Sequence, residues 1–259
     1  MDGPCDGRFN MATDLALLQA CDEAPDAPPA LRVYGWSGPA LSVGHSQNIE
    51  RDVDLAQAEK RGVPIVRRPT GGRALLHHRE VTYAVVAPFG GTGLRSHLKD
   101  IFDDVARYLT AGLVELGLPE ADVAFQNVPQ RRRAGRRSAA CFAELHFGEI
   151  TVRGKKLVGS AQKRARNAFL QHGSIPLEED IALFISLCRY GSGEERREEE
   201  RALRSGTTTL RQELGSAVSF ERAAGALVSG FNAGGVFNLE PDGLTRRECE
   251  LRDAILEGS

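Results

Sequence analysis

The sequence predicts a mixed α/β domain with a small, mainly helical C-terminal part, and three observations carry that expectation. The chain has 259 residues, which suits one generous α/β domain or a large domain with an appendage. Up to Leu177, segments alternating at period two are interleaved with segments of helical period. Beyond Leu177 the patterns are almost all helical, so the expected division is 1–180 for the principal domain and 181–259 for the extension. No internal repeat of fixed period is present, which sets aside solenoids and propellers.

The elements follow in order. Met11, Leu15 and Leu18 recur at helical spacing in MATDLALLQAC, with Asn10 as the expected N-cap. LRVYGW and ALSVGH are short and β-rich, and the break at Ser37, Gly38 and Pro39 reads as a hairpin turn. DVDLAQAEKRG opens acidic, ends in Lys60 and Arg61, and is followed by Gly62, the marks of a capped helix. Strand VPIVRR leads into a turn at Pro69, Thr70, Gly71 and Gly72, because proline fixes φ and glycine admits conformations closed to other residues. ALLHH and VTYAVVAP resume strand character. Ser96 is placed to cap a long helix whose buried face is Leu98, Ile101, Phe102, Val105 and Leu109. RRRAGRRSAA is too charged for a core and is expected as a mobile loop. The block from Cys141 to Leu177, broken at Gly154 and Asn167, is expected to form a second sheet or hairpin layer. DIALFISLC reads as helix, GSGEERREEERALRSG as a solvated linker-like run, and VFNLE as a short strand in an otherwise helical tail.

Composition narrows the function classes. A formal net charge of −2 gives no global attraction to nucleic acid, so any basic partner site must be local. The opening MDGPCDGRFNMATD lacks a basic stretch followed by an apolar one, and no apolar run approaches the roughly 20 residues that span a bilayer. A cytoplasmic location without membrane contact is expected. Cys5, Cys21, Cys141, Cys188 and Cys249 are odd in number and widely spaced, which argues for free thiols. With no CxxC pair, no metal site is expected.

Three segments carry chemistry. In RRPTGGRALLHHREVTY a strand delivers a glycine turn whose backbone N–H groups a ligand approaches closely. Arg67, Arg68 and Arg73 beside it suit a phosphate, although a plain β-turn is the bland alternative. In GKKLVGSAQKR, strand alternation sends Lys155 and Lys156 to opposite faces, so one points inward; near a thiol it would favour the thiolate. An exposed hairpin tip is the alternative there. In FLQHGSIPL, His172 and Gly173 offer imidazole or backbone contacts. The basic run Arg131–Arg137, with Lys163, Arg164 and Arg166, lacks the interleaved aromatics of a nucleic-acid surface and fits an acidic protein partner better.

Read together, NMATDLALL, GHSQN, RRPTGGRALLHHREVTY, GKKLVGSAQ, LQHGSI and TTLRQELG resemble the lipoate-protein ligase A family of the biotin and lipoate ligase superfamily, over nearly the whole chain. The resemblance implies a large mixed or antiparallel sheet, a smaller sheet and flanking helices around an acyl pocket. It assigns to substrate binding Arg68, Thr70, Gly71, Gly72, Arg73, His77, Gly159, Ser160, Ala161, His172 and Gly173. Within the family, ATP-dependent ligases make an acyl adenylate, whereas a cysteine-using branch takes octanoyl from acyl carrier protein and needs no ATP or metal. Three features resemble the second branch. Cys141 in ACFAELHFGEITV stands fifteen residues before Lys156, like that branch's acyl-thioester cysteine and the lysine that lowers its pKa. Arg73 stands where ligases carry a third glycine, and the chain ends before an additional ligase domain would fit.

The resemblance therefore implies an octanoyltransferase of lipoate biosynthesis. Its donor is an acyl carrier protein bearing phosphopantetheine. Its acceptor is a lysine on a lipoyl-accepting protein, such as a glycine-cleavage carrier or a dehydrogenase lipoyl domain. Cys141 as thiolate would attack the octanoyl carbonyl, giving a thioester of similar energy to the one broken. The alternatives are an ATP-dependent lipoate or octanoate ligase, a cysteine enzyme relaying octanoyl from one acylated protein to another, and a carrier-binding module without turnover.

Overall fold

The computed structural model describes residues 1–89, 98–125, 149–234 and 239–258. Cys141, the run Arg131–Arg137, the cap position Ser96 and most of VFNLE lie outside the described residues.

The chain opens with β1 (Pro4–Cys5), α1 (Gly7–Glu23), β2 (Ala30–Trp36), β3 (Ala40–Val43), α2 (Ile49–Asp52), α3 (Leu55–Lys60) and β4 (Ile65–Arg67). Next come β5 (Leu75–His77), β6 (Glu80–Pro88), α4 (Leu98–Glu115), a 3-10 turn at Glu120–Asp122, β7 (Val123–Phe125), β8 (Ile150–Val152), β9 (Lys155–Arg164) and β10 (Ala168–Pro176). Five helices complete the described chain: α5 (Ile181–Leu187), α6 (Gly193–Gly206), α7 (Leu210–Leu214), α8 (Phe220–Ala233) and α9 (Arg246–Glu257). A seven-stranded sheet runs β1-β2-β6-β10-β9-β8-β7, antiparallel except for the β1–β2 pair, and a three-stranded sheet runs β4-β3-β5. The expected mixed α/β class, with a large sheet, a small sheet and flanking helices, is the fold found.

Strand alternation divides the core. Val81, Tyr83, Val85 and Ala87 of β6 point to a cluster shared with Ile101, Val105, Leu109 and Leu113 of α4 and Ala223, Leu227 and Phe231 of α8. Ala84 and Val86 point the other way and meet Met11, Leu17, Leu18 and Cys21 of α1. The small sheet supplies Ala40 and Val66 to this second cluster, and Leu41 and Val43 to a third that includes Phe184, Ile185 and Leu203. Residues after 181 thus bury apolar side chains against both sheets. At the end of the chain α9 lies on α1, where Arg247 forms two 2.9 Å bonds to Glu23. Among the described residues no helix is long and apolar enough to cross a membrane.

Several expectations are corrected. The first helix starts at Gly7, because Asp6 rather than Asn10 caps it through the Phe9 N–H; Asn10 is buried and receives a 2.8 Å bond from Arg32. β2 and β3 are not a hairpin: β2 uses both its edges on β1 and β6, and the chain crosses at Ser37–Pro39 into the other sheet. β8, β9 and β10 are not a second layer, since β10 pairs with β6 and joins them to the large sheet. The charged run 193–206 is helix α6, capped by Ser192, with an Arg204–Glu200 pair outside and Leu203 buried inside.

Candidate active site

The α1 face of the large sheet holds a cleft of about 440 Å³, counted out to its open mouth and lined by Met11, Tyr34, Arg68, Leu75, His77, Thr82, Gly159, Ser160, Ala161, His172, Gly173 and Ser174. Six of these come from the adjacent strands β9 and β10. Their register, Ala161 opposite His172 and Ser160 opposite Gly173, brings the GSA and HGS segments side by side. A side chain at Gly173 would put its Cβ 2.6 Å from both the Gly159 carbonyl oxygen and the Tyr83 ring, so only glycine allows this approach.

Two buried carboxylates fix the walls. Asp14, wholly buried on α1, accepts from Arg32 Nη1 at 2.8 Å and Tyr34 Oη at 2.9 Å, and its Oδ2 lies 2.9 Å from His172 Nδ1. The other imidazole nitrogen is 2.7 Å from Thr70 Oγ1, so the turn of β4–β5 is tied to β10 through one histidine. Burial alone would raise the Asp14 carboxyl; the bond to His172 and the charge of Arg32 outweigh it and hold the group below its ordinary range. Glu80 builds the matching cluster. Its Oε1 meets His77 Nδ1 at 2.8 Å and Thr82 Oγ1 at 2.6 Å, and its Oε2 accepts from Ser174 at 2.6 Å. Here too burial pushes upward, but the charge and hydrogen bond of His77 and the two hydroxyls prevail and lower it. His77 is 2.7 Å from Ser42 Oγ and stacks on Trp36 at a centroid distance of 4.0 Å.

The glycine turn is built from within. Arg67 donates to the carbonyls of Gly44, His45 and Gln47, and Arg68 to those of Ser42, Gly71 and Arg73. Both guanidinium groups therefore shape the loop, which differs from the expected cluster of three offered to a phosphate; Arg73 is half-buried. A Cβ on Gly44 would lie 2.0 Å from the Gly72 carbonyl oxygen, so the GHSQN loop and the turn pack backbone to backbone. Gly71 and Gly72 are exposed at the rim, and Thr70 is buried behind it.

Lys155 faces solvent and Lys156 is fully buried, as opposite faces of β9 require. The Lys156 ammonium donates to Glu149 Oε1, and Glu149 is itself 2% exposed. Three residues further along the same strand, Gly159 enters the cleft. A second, larger cavity of about 630 Å³ adjoins it through the shared residues Leu75 and Ser174, and is lined also by Leu76, Ile181, Phe184, Thr207 and Thr208. Thr208 N–H donates to the Lys156 carbonyl at 3.0 Å.

Three of the described cysteines, Cys5, Cys21 and Cys188, offer no activated thiol. Burial pushes Cys21 up to about 11 and Cys188 up to about 12, and Cys5 is also raised by burial. Of the residues the sequence singled out, the structure brings Arg68, His77, Gly159, Ser160, Ala161, His172 and Gly173 to this cleft; the sequence reading missed Asp14, Ser42 and Glu80, which bond to its two histidines from behind, and Glu149, which meets Lys156. One signal was available: Asp14 interrupts the apolar stripe Met11, Leu17, Leu18 of α1, and a carboxylate on a buried face needs a partner.

Residues 6–232 match the family described as the lipoyl protein ligase A/B catalytic domain. The chain is 39% identical over 248 residues to the octanoyltransferase LipM of Kyrpidia tusciae, covering 96% of this chain and 90% of that protein. It is 37% identical over 251 residues to the octanoyltransferase LipM of Symbiobacterium thermophilum, covering 97% and 90%. Among solved structures, a bi-partite lipoate protein ligase of Thermoplasma acidophilum superposes with a TM-score of 0.79 at 19% identity, covering 98% of this chain and 91% of that one.

Proposed function

This chain belongs to the lipoyl protein ligase A/B catalytic family, and from that premise we propose that it is an octanoyltransferase of protein lipoylation. It takes octanoyl from octanoyl-acyl carrier protein and delivers it to a lysine of a lipoyl-accepting protein, with no ATP and no metal. The nucleophile is Cys141. Its thiolate attacks the thioester carbonyl, a new C–S bond forms, and the carrier's phosphopantetheine thiolate leaves. The acceptor's unprotonated amine then attacks the enzyme thioester. An amide forms, the amine gives up a proton, and Cys141 returns as the thiol.

The observation that carries this reading is Lys156: a lysine with no solvent exposure, on the strand whose Gly159, Ser160 and Ala161, starting three residues on, line the cleft. A buried ammonium there favours a thiolate by Coulombic attraction, and that is the chemistry a transthiolation needs. The relatives named octanoyltransferase, alike over nearly the full chain, support the same acyl group. Met11, Tyr34, Leu75 and Ala161 supply the apolar wall for the octanoyl chain, and each buried methylene contributes roughly 0.8 kcal/mol to its selection. The Asp14–His172–Thr70 and Glu80–His77–Ser42 clusters hold that wall in place.

The test is product analysis. The purified protein, octanoyl-acyl carrier protein and a lipoyl domain in nucleotide-free buffer should give the domain octanoylated on its lysine, and Cys141→Ser should give none. Octanoate-dependent exchange of pyrophosphate into ATP, with no transfer from the carrier, would overturn the proposal in favour of a ligase.

A further inference from the structure

The larger cavity shares Leu75 and Ser174 with the acyl cleft, so a group threaded through it arrives at the acyl site. Much of its lining is apolar, with Leu76 half-buried and Ile181, Phe184 and Leu203 buried. The exposed lining residues Arg79, Glu179 and Asp180 mark its mouth, with half-buried Glu178 beside them. One arginine there stands against three carboxylates. Arg79 is held by Glu178, which also accepts a 2.6 Å bond from Arg211. Glu179 meets only neutral donors among the described residues, Thr207 Oγ1 at 3.3 Å and Gln212 Nε2 at 3.1 Å. Asp180 caps α5 by accepting the Leu183 N–H at 2.9 Å. Two carboxylates at the mouth therefore have no cationic partner among the described residues.

A phosphate, whether of a nucleotide or of the donor's arm, would bring negative charge to a mouth that already holds it in excess. A lysine side chain fits both parts of the cavity: its ammonium complements the carboxylates, and its methylene stem lies along the apolar wall. We infer that this cavity is the entry of the acceptor lysine, and that Glu179 and Asp180 recognise its ammonium. The inference rests on the proposed acyl transfer and adds the route of the second substrate, which reaches the acyl group past Leu75 and Ser174.

The experiment is a binding cycle with the full-length protein, read by NMR shifts of an isotope-labelled lipoyl domain, which follow weak binding as well as strong. Parent and the double variant Glu179→Gln/Asp180→Asn are each titrated into the intact domain and into the same domain with glutamine in place of its acceptor lysine. Glutamine can keep the bonds to Thr207 and Gln212, and asparagine caps a helix as well as aspartate does, so charge is what changes. The parent is expected to bind the intact domain roughly tenfold more tightly than the lysine-free one, about threefold from each exposed carboxylate. In the double variant that difference should fall below about twofold. A difference that survives in the variant, or none in the parent, overturns the inference. So does a loss of affinity for octanoyl-acyl carrier protein in the variant while its response to the two domains matches the parent's, which would give the cavity to the donor. Failure of the underlying reading looks different: the parent would release no carrier thiol from octanoyl-acyl carrier protein and acylate no lipoyl domain, whatever the binding cycle shows.

Discussion

Replacing Asp14 by asparagine keeps the size of the side chain and removes its charge from the centre of the α1–β2–β10 packing. Asparagine can still accept one bond and donate another, and His172 can take either tautomer while the Thr70 hydroxyl donates or accepts to match, so the hydrogen-bond geometry survives in part. What is lost is the ion pair to Arg32, itself 6% exposed, whose 2.8 Å contact to Asp14 has no charged replacement on that side. Removing one partner of a buried pair costs about 3–5 kcal/mol, and the 2.6 Å contact of Arg32 to the half-exposed Asp2 offsets part of it, leaving about 2–4 kcal/mol. For a chain of this size that lowers the melting temperature by roughly 5–15 °C. The pH dependence sharpens the test. The folded carboxyl is held below its unfolded value, so its contribution is complete above about pH 4 and is lost as pH falls through the folded value. Thermal melts followed by circular dichroism should therefore show a constant gap between parent and Asp14→Asn from neutral pH to about pH 4.5, closing in stronger acid. A gap of under about 2 °C near neutral pH, or one that persists unchanged in acid, would refute the assignment of Asp14 as an ionised buried anchor.

Three further outcomes follow from the same geometry. Gly44→Ala forces a Cβ to within 2.0 Å of the Gly72 carbonyl, and a loss of about 1–3 kcal/mol in urea unfolding is expected; an unchanged midpoint would mean that the two loops do not pack as described. Ala161→Leu fills part of the cleft and should shift preference toward shorter acyl donors, with each methylene displaced worth about fourfold in relative kcat/KM; an unaltered chain-length profile would move the acyl chain elsewhere. Brief iodoacetamide treatment near neutral pH should label Cys141 ahead of Cys21 and Cys188, whose thiols burial holds at about 11 and about 12; equal labelling would contradict the assignment of an activated thiol.

How much of this was legible depends on the range of the interaction. The stripe Ile101, Val105, Leu109 in α4, the β-rich run Val81–Ala87 of β6 and the turn Pro69–Gly72 are local patterns, and the structure has them where the sequence puts them. The strand partners were not readable. Nothing near Ala40 indicates that β3 pairs with β4 and β5 rather than with β2, because pairing is settled by segments 24 and more residues away. α6 was hidden for another reason: only Glu199 and Leu203 of its fourteen residues are buried, too few to show a helical stripe within a charge run. In the site, the motif residues of β9 and β10 were visible as glycine and histidine breaks in strands. The partner of Asp14 was not: the break it makes in the apolar stripe of α1 is local, but it meets His172 across 158 residues of sequence, once α1 lies on the sheet.

A sulfur that carries the acyl group is the centre of the account, and the most direct measurement is the intact mass of the protein after separate incubation with octanoyl-acyl carrier protein and with an octanoylated lipoyl domain, in the absence of nucleotide. One octanoyl group, labile to hydroxylamine and mapped to the peptide containing Cys141, should appear with the carrier donor. Loading only from the octanoylated domain, or an adduct that requires ATP or maps to another residue, would contradict it.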